Sequence, residues 1–232
     1  MLIDKNVIHI LSEKYGFDEI DIKNLALYVE MLISANKSRN FIGSSTLKDV
    51  WTRHILDSAQ LVKLIDFEKP CILSDLGSGA GLPGIVLSIF NKNKKFHVKL
   101  YEKSAVKCQF LRYVIKKLKL AAEVIDGDIF SKKIDSGYIV ARAFKKIDKM
   151  IQVSREIAKK PNKMIILKGK DAQAEINTLS LQKNYSYSLE SSMTDPNSKI
   201  IIFQVWSYLN SLENQVLNTF EKKIVRKSNG FY

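Results

Sequence analysis

A chain of 232 residues, 46% of them hydrophobic, can bury a full core, which excludes a disordered or low-complexity protein. Lys and Arg number 37 against 24 Asp and Glu, a formal charge of +13, so the expected partner is a polyanion, nucleic acid before membrane. Cys71 and Cys108 have neither metal nor disulfide spacing, and Asp4 and Lys5 interrupt any secretory pattern, so a reduced, cytoplasmic setting is expected.

Residues 1–68 read as a helical N-terminal extension. After the acid-rich start FDEID, Ile22, Leu25, Val29 and Leu32 recur at helical spacing. NKSRNFIGSS then breaks the pattern. A second stripe, Leu47, Val50, Trp51, His54, Ser58, Leu61, Val62 and Ile65, predicts an amphipathic helix with Ser44 or Ser45 as its N-cap. From residue 69 to 206 short apolar runs take over: CILSD, FHVKLYE, AAEVID, GYIVARA and KMIILK. Helical patterns, PGIVLSIFNK and SAVKCQFLRYVIKKLKL, lie between the first three. This alternation predicts an α/β fold, a doubly wound parallel sheet with helices on both faces. Residues 71–90 are apolar enough to flag in a hydropathy scan, but four glycines, Pro83 and Asp75 argue against a membrane helix. NYSYSLESS and SKIIIFQVW follow with no helix between them, which suggests an antiparallel pair at one edge. Residues 207–232 form a basic amphipathic tail, with Leu209, Leu212, Val216, Phe220 and Ile224 at helical spacing, expected to dock on the domain.

The loop DLGSGAGLPG joins the first strand to the first helix, where open parallel sheets bind ligands. Gly77, Gly79, Gly81 and Gly84 permit a tight turn and close approach of a ligand to the backbone, and Pro83 fits a first helical turn. Gly79-x-Gly81-x-x-Gly84 matches the dinucleotide fingerprint, so a nicotinamide-dependent oxidoreductase is one reading. Asp75 at the strand end gives Asp-x-Gly-x-Gly instead, the pattern of Rossmann-like, class I S-adenosylmethionine (SAM) methyltransferases. That resemblance implies that the loop passes along the methionine and ribose, that Glu102 in LYEKS accepts the ribose hydroxyls, and that Asp128, Ile129 and Phe130 in DGDIF hold the adenine.

An exocyclic amine acceptor commonly goes with Asn/Asp-Pro-Pro-aromatic after strand four, where this chain has ARAF, and carbon methylation needs a cysteine nucleophile at a strand end. An acceptor that is already nucleophilic remains, such as guanine N7, which needs only desolvation and alignment. Arg142 can grip guanine O6, a phosphate or the SAM carboxylate, or form a structural ion pair. His54 is either a core histidine or a group shaping the site. Arg53 either pairs with Asp57 at i, i+4 or contacts RNA phosphate. Lys168 is a substrate-side cation or a solvated strand-end lysine.

NKSRNFI, RHILDS, DLGSGAGLPGI, EKSAVKCQFLR, ARAF and LKGK, in this order over residues 20–206, resemble the bacterial glucose-inhibited-division protein B family, the guanine-N7 methyltransferases of 16S ribosomal RNA. The resemblance implies a helical extension on a SAM methyltransferase core, with Gly77, Leu82, Ile129, Phe130 and Arg142 lining the SAM site. It makes the small ribosomal subunit the partner; a monomer without a metal is expected. An acid usually stands in the family where this chain has Phe130. A basic RNA- or ribosome-binding protein without catalysis is the third reading.

Overall fold

The structure, a computed structural model, describes residues 4–142, 144–158, 162–179 and 185–205; the tail at 207–232 lies outside the described residues. Helix α1 (Lys5–Tyr15) starts where the Asp4 carboxylate accepts the N–H groups of Asn6 and Val7, and ends at Gly16, whose φ of +78° only glycine adopts without cost. Helix α2 (Glu19–Asn36) starts with a capping box between Asp18 and Asp21. Its buried stripe contains Leu25, Val29 and Leu32 as expected, and also Tyr28. Past its end the Asn36 side chain accepts the N–H groups of Phe41 and Ile42, which closes the NKSRNFI loop.

The second stripe does not form one regular helix. A 3₁₀ turn at Ser44–Thr46, with no side-chain cap from either serine, leads to a π-wound segment, Trp51–Leu56. One α-turn, α3 (Asp57–Ala59), and a 3₁₀ segment, Gln60–Leu64, follow. His54, Ile55 and Leu56 are all buried, more consecutive positions than one α-helical face holds, and the wider winding turns them inward together.

The remaining elements are β1 (Cys71–Leu76), α4 (Gly84–Phe90), β2 (Phe96–Glu102), α5 (Ala105–Leu118), β3 (Ala122–Asp126), β4 (Tyr138–Arg142), α6 (Ile147–Ile157), β5 (Asn162–Lys168), α7 (Ala172–Asn177), β6 (Tyr185–Ser191) and β7 (Lys199–Val205). They build a seven-stranded sheet in the order β3-β2-β1-β4-β5-β7-β6. The strands β1 to β5 run parallel, while β7 is antiparallel to both β5 and β6, the expected edge pair. A dinucleotide fold would keep its sixth strand parallel. The order reverses between β2 and β4 on the two sides of β1, so ligands are expected at the carboxyl end of β1.

Period-two alternation sends side chains to two cores. One face buries Leu73, Val98, Leu100, Val140 and Ile165 against α4, α5 and the helices before residue 65. The other buries Leu76, Tyr101, Ile139, Ala141 and Ile166 against α6 and α7. The extension and the sheet share the first core, for the Phe67 ring meets Phe90 edge-on at 5.2 Å and Phe96 at a tilt at 4.7 Å, and Phe17 meets Phe90 at 5.0 Å.

Candidate active site

The parallel strands deliver Leu76, Glu102, Asp126, Arg142 and Lys168 to one edge of the sheet. The glycine loop lies there under three tethers. Ser78 N–H donates to the Tyr101 carbonyl at 3.0 Å, Gly79 N–H to Glu102 Oε2 at 2.9 Å, and the Tyr28 hydroxyl to the Ala80 carbonyl at 2.9 Å. Gly77, Gly79 and Gly81 have φ of +68°, +58° and +103°. Their reasons differ. A Cβ on Gly77 would overlap the Phe144 ring, and one on Gly81 would overlap Ile85, so these positions need close packing. A Cβ on Gly79 would meet nothing nearer than the Gly77 carbonyl oxygen at 3.7 Å, so bare backbone faces open space. Pro83 stands one position earlier than expected, at the N-cap of α4.

Two cavities adjoin at this loop. One, of about 300 Å³, is lined by Gly77, Gly79, Tyr101, Glu102, Gly127, Asp128, Ile129 and Phe144, with three lysines. The Glu102 carboxylate is set at its floor, where Oε1 accepts the N–H groups of Lys103 and Ser104 at 2.9 and 2.8 Å. The other, of about 440 Å³, is walled by Arg53, His54, Asp57, Gly77, Gly79, Leu82 and Arg142, with Phe41, Thr46 and Lys107. Thr194, Asp195 and Ser198, from the loop between β6 and β7, close it.

Arg142 Nη1 donates to His54 Nδ1 at 2.8 Å and to the Arg53 carbonyl at 3.3 Å, and stands 3.8 Å from Asp57 Oδ2. Thr46 Oγ1 gives its proton to the Gly43 carbonyl, so at 2.8 Å it accepts from His54 Nε2–H. This network fixes the imidazole as the neutral Nε2–H tautomer. Burial, and then the charges of Arg142 and Arg53, push the His54 pKa down to about 3, so the ring stays neutral across the physiological range. Asp57 Oδ1 accepts from the Thr194 hydroxyl at 2.8 Å and from Gln60, and burial holds its pKa above the usual carboxylate value. Arg53 pairs with Asp195 at 3.5 Å and not with Asp57 as one reading expected. The π winding of Trp51–Leu56 removes the stacking of residues four apart.

Several expected site residues lie elsewhere. Asp75 lines neither cavity; it is fully buried under the loop, where Oδ2 accepts the Gly84 N–H at 3.1 Å and Oδ1 has no partner among the described residues. Gly81 faces the core, and Phe130 lies outside the lining, 44% exposed. Lys168 lines neither cavity: its Nζ is 2.9 Å from Glu175 Oε1 and donates to the Lys145 carbonyl at 3.1 Å. Glu175 Oε2 accepts the Ile147 N–H, so the pair ties β5 to the start of α6. Tyr28, Phe41, Thr46, Lys107, Thr194, Asp195 and Ser198 were not legible as site residues. Each comes from an element whose pattern reports only its own burial or turn; the one usable signal was the loop 192–198, longer than a tight hairpin requires.

Burial raises the Asp75 pKa to about 7, against the opposing pull of its hydrogen bonds. The folded state therefore holds the Asp75 proton more tightly than the unfolded chain, whose value is about 3.9. Stability tied to this group is full below pH ~4, falls as pH rises from ~4 to ~7, and is flat above. Asp75→Asn carries no such titration. Its melting temperature is expected to gain on wild type across that window, the gain levelling at a stability difference on the order of 1–3 kcal/mol. A gap that narrows as pH rises would show that the ionised carboxylate stabilises the fold.

The sequence matches the family model described as GidB, rRNA small subunit methyltransferase G, over residues 21–200. It is 36% identical over 180 residues to the ribosomal RNA small subunit methyltransferase G of Pelagibacter ubique, covering 75% of this chain and 84% of that protein. Its identity to the Orientia tsutsugamushi protein of the same name is 32% over 202 residues, covering 87% of this chain and 99% of the other. The fold resembles a SAM-dependent methyltransferase from Aquifex aeolicus with a TM-score of 0.53 at 14% identity, over 74% of this chain and 98% of that one. With a matched region that runs from α2 through the glycine loop to β7, this chain belongs to the rRNA small subunit methyltransferase G family.

Proposed function

We infer that this protein transfers a methyl group from SAM to N7 of a guanine in the 16S ribosomal RNA of the small subunit. The observation that carries the reading is the pair of cavities sharing the wall of Gly77 and Gly79. The smaller one fits SAM: bare Gly79 backbone offers close approach, Glu102 stands where a ribose diol needs a charged acceptor, and Asp128 and Ile129 flank the place of the base. When bound there, SAM supplies an activated methyl group on a sulfonium, and N7 accepts it without losing a proton.

The larger cavity then receives the guanine. Arg142, held in place by His54, Asp57 and the Arg53 carbonyl, presents a fixed donor fork to the base edge or to a phosphate. His54 engages both ring nitrogens and stays neutral, and both oxygens of Asp57 face donors, so neither is free to act as a base. The site aligns and desolvates the reactants, and its polar groups hold it rigid. We propose that the protein acts as a cytoplasmic monomer, with the helical extension at 1–68 and residues 69–206 together walling the acceptor cavity and residues 69–206 forming the cofactor side.

The test is transfer of labelled methyl to small-subunit RNA, with the modified atom identified after digestion. The expected product is 7-methylguanine, with a single-turnover rate flat between about pH 6 and 8. A rate that rises about tenfold per pH unit to a plateau would overturn N7 as the acceptor, because it would report a group that must lose a proton.

A further inference from the structure

Lys107 lies on the first turn of α5, half-buried, and lines both cavities where they meet at Gly77 and Gly79. Of the neighbouring cations, Arg53 pairs with Asp195 at 3.5 Å, Arg142 with Asp57 at 3.8 Å and Lys168 with Glu175 at 2.9 Å, while Lys103 is exposed and lines only the smaller cavity. Lys145 lies over the rings of Phe130 and Phe144, 5.5 Å from each centroid. Among the described residues Lys107 has no ion pair, no hydrogen bond and no ring. The acid nearest in sequence, Glu102, accepts the backbone N–H groups of Gly79, Lys103 and Ser104 and forms no ion pair with Lys107. A cation without a counter-charge at the junction of two cavities stands where a ligand anion would pair with it.

We propose that Lys107 binds a backbone phosphate of the RNA beside the target nucleotide, fixing that nucleotide at the mouth shared by the two cavities. This rests on the reading of those cavities given above. The phosphate is favoured over the cofactor carboxylate on charge. SAM carries an ammonium and a sulfonium against one carboxylate, so it adds net positive charge beside Lys107, whereas a phosphodiester adds a negative one. The phosphate contact of Lys107 positions the substrate and takes no part in bond-making.

The experiment compares wild type with Lys107→Met, Lys107→Arg and Lys117→Met, the last exposed at the far end of the same helix. Methionine keeps the helix propensity of lysine, so folding is preserved. RNA affinity is measured over a series of salt concentrations, SAM affinity by calorimetry, and methyl transfer in single turnovers. Lys107→Met is expected to reduce the slope of log affinity against log salt by about 0.7–0.9, one phosphate's worth, and to raise the apparent KM for RNA about five- to tenfold. Its SAM affinity stays within about twofold of wild type. Lys107→Arg restores the slope, and Lys117→Met matches wild type. An unchanged slope overturns the proposal, and weaker SAM binding with an unchanged slope assigns Lys107 to the cofactor carboxylate instead. Absence of any transfer by the wild-type protein would strike the reading of the cavities, independently of the variants.

Discussion

Arg142→Lys is expected to slow single-turnover methyl transfer by about a hundredfold or more while the protein stays folded. The substitution keeps the charge and nearly the length, so the effect isolates geometry. The hydrogen bonds of Arg142 to protein run through Nη1, to His54 Nδ1 at 2.8 Å and to the Arg53 carbonyl at 3.3 Å. With the guanine placed in the larger cavity as proposed, the rest of the planar fork would face it. Lysine has a single point charge and cannot hold His54 with one edge while presenting a second, coplanar edge to a base or phosphate. Loss of one bidentate contact costs about 1–3 kcal/mol, and a shift of the acceptor by about 1 Å can cost a further hundredfold in rate. SAM affinity should change much less, because Glu102 and the glycine loop remain. Circular dichroism and the melting temperature check the fold, and quenched single turnovers read the chemistry. A rate within about threefold of wild type would remove Arg142 from the acceptor site.

Gly79→Val is expected to weaken SAM binding by more than about a hundredfold. Two penalties coincide at this position. The backbone stands at φ +58°, which a β-branched residue adopts only with strain on the order of 1–3 kcal/mol. The new side chain would also occupy the open space above the wall common to both cavities. Relaxing the strain would move the Gly79 N–H away from Glu102 Oε2 and loosen the carboxylate at the cavity floor. Gly79→Ala gives a graded companion, since its Cβ finds no atom nearer than 3.7 Å in the folded loop and its cost falls on the backbone angle and the ligand. Gly77→Ala behaves differently: its Cβ overlaps the Phe144 ring, so it should lower the melting temperature before it touches the ligand. Calorimetric titration with SAM separates these cases. Wild-type affinity in a folded Gly79→Val or Gly79→Ala protein would show that the loop does not cradle the cofactor.

Local signals carried much of this protein. The strand runs, the helix face of Leu25, Val29 and Leu32, and the positive φ of Gly77, Gly79 and Gly81 depend on a few adjacent residues, so they are written in short windows of sequence. The α/β alternation determined the sheet, and strand direction put Glu102 and Arg142 at the ligand edge. The second helical stripe was misread because periodicity reports which residues are apolar and not how tightly the backbone must wind to bury them together. The partners of the polar groups lay beyond any window. Arg142 meets His54 across 88 positions, Tyr28 reaches Ala80 across 52, and Asp57 takes its proton donor from Thr194 across 137. The same blindness hid why Lys168 is paired and Asp75 sealed beneath the loop while Lys107 has no counter-charge among the described residues. Sequence by itself determined the sheet, the loop and the kind of chemistry, because backbone geometry follows from neighbouring residues. Only the tertiary structure decided which charges are spent on the protein and which remain for a ligand, because hydrogen bonds and ion pairs are set by distance in space.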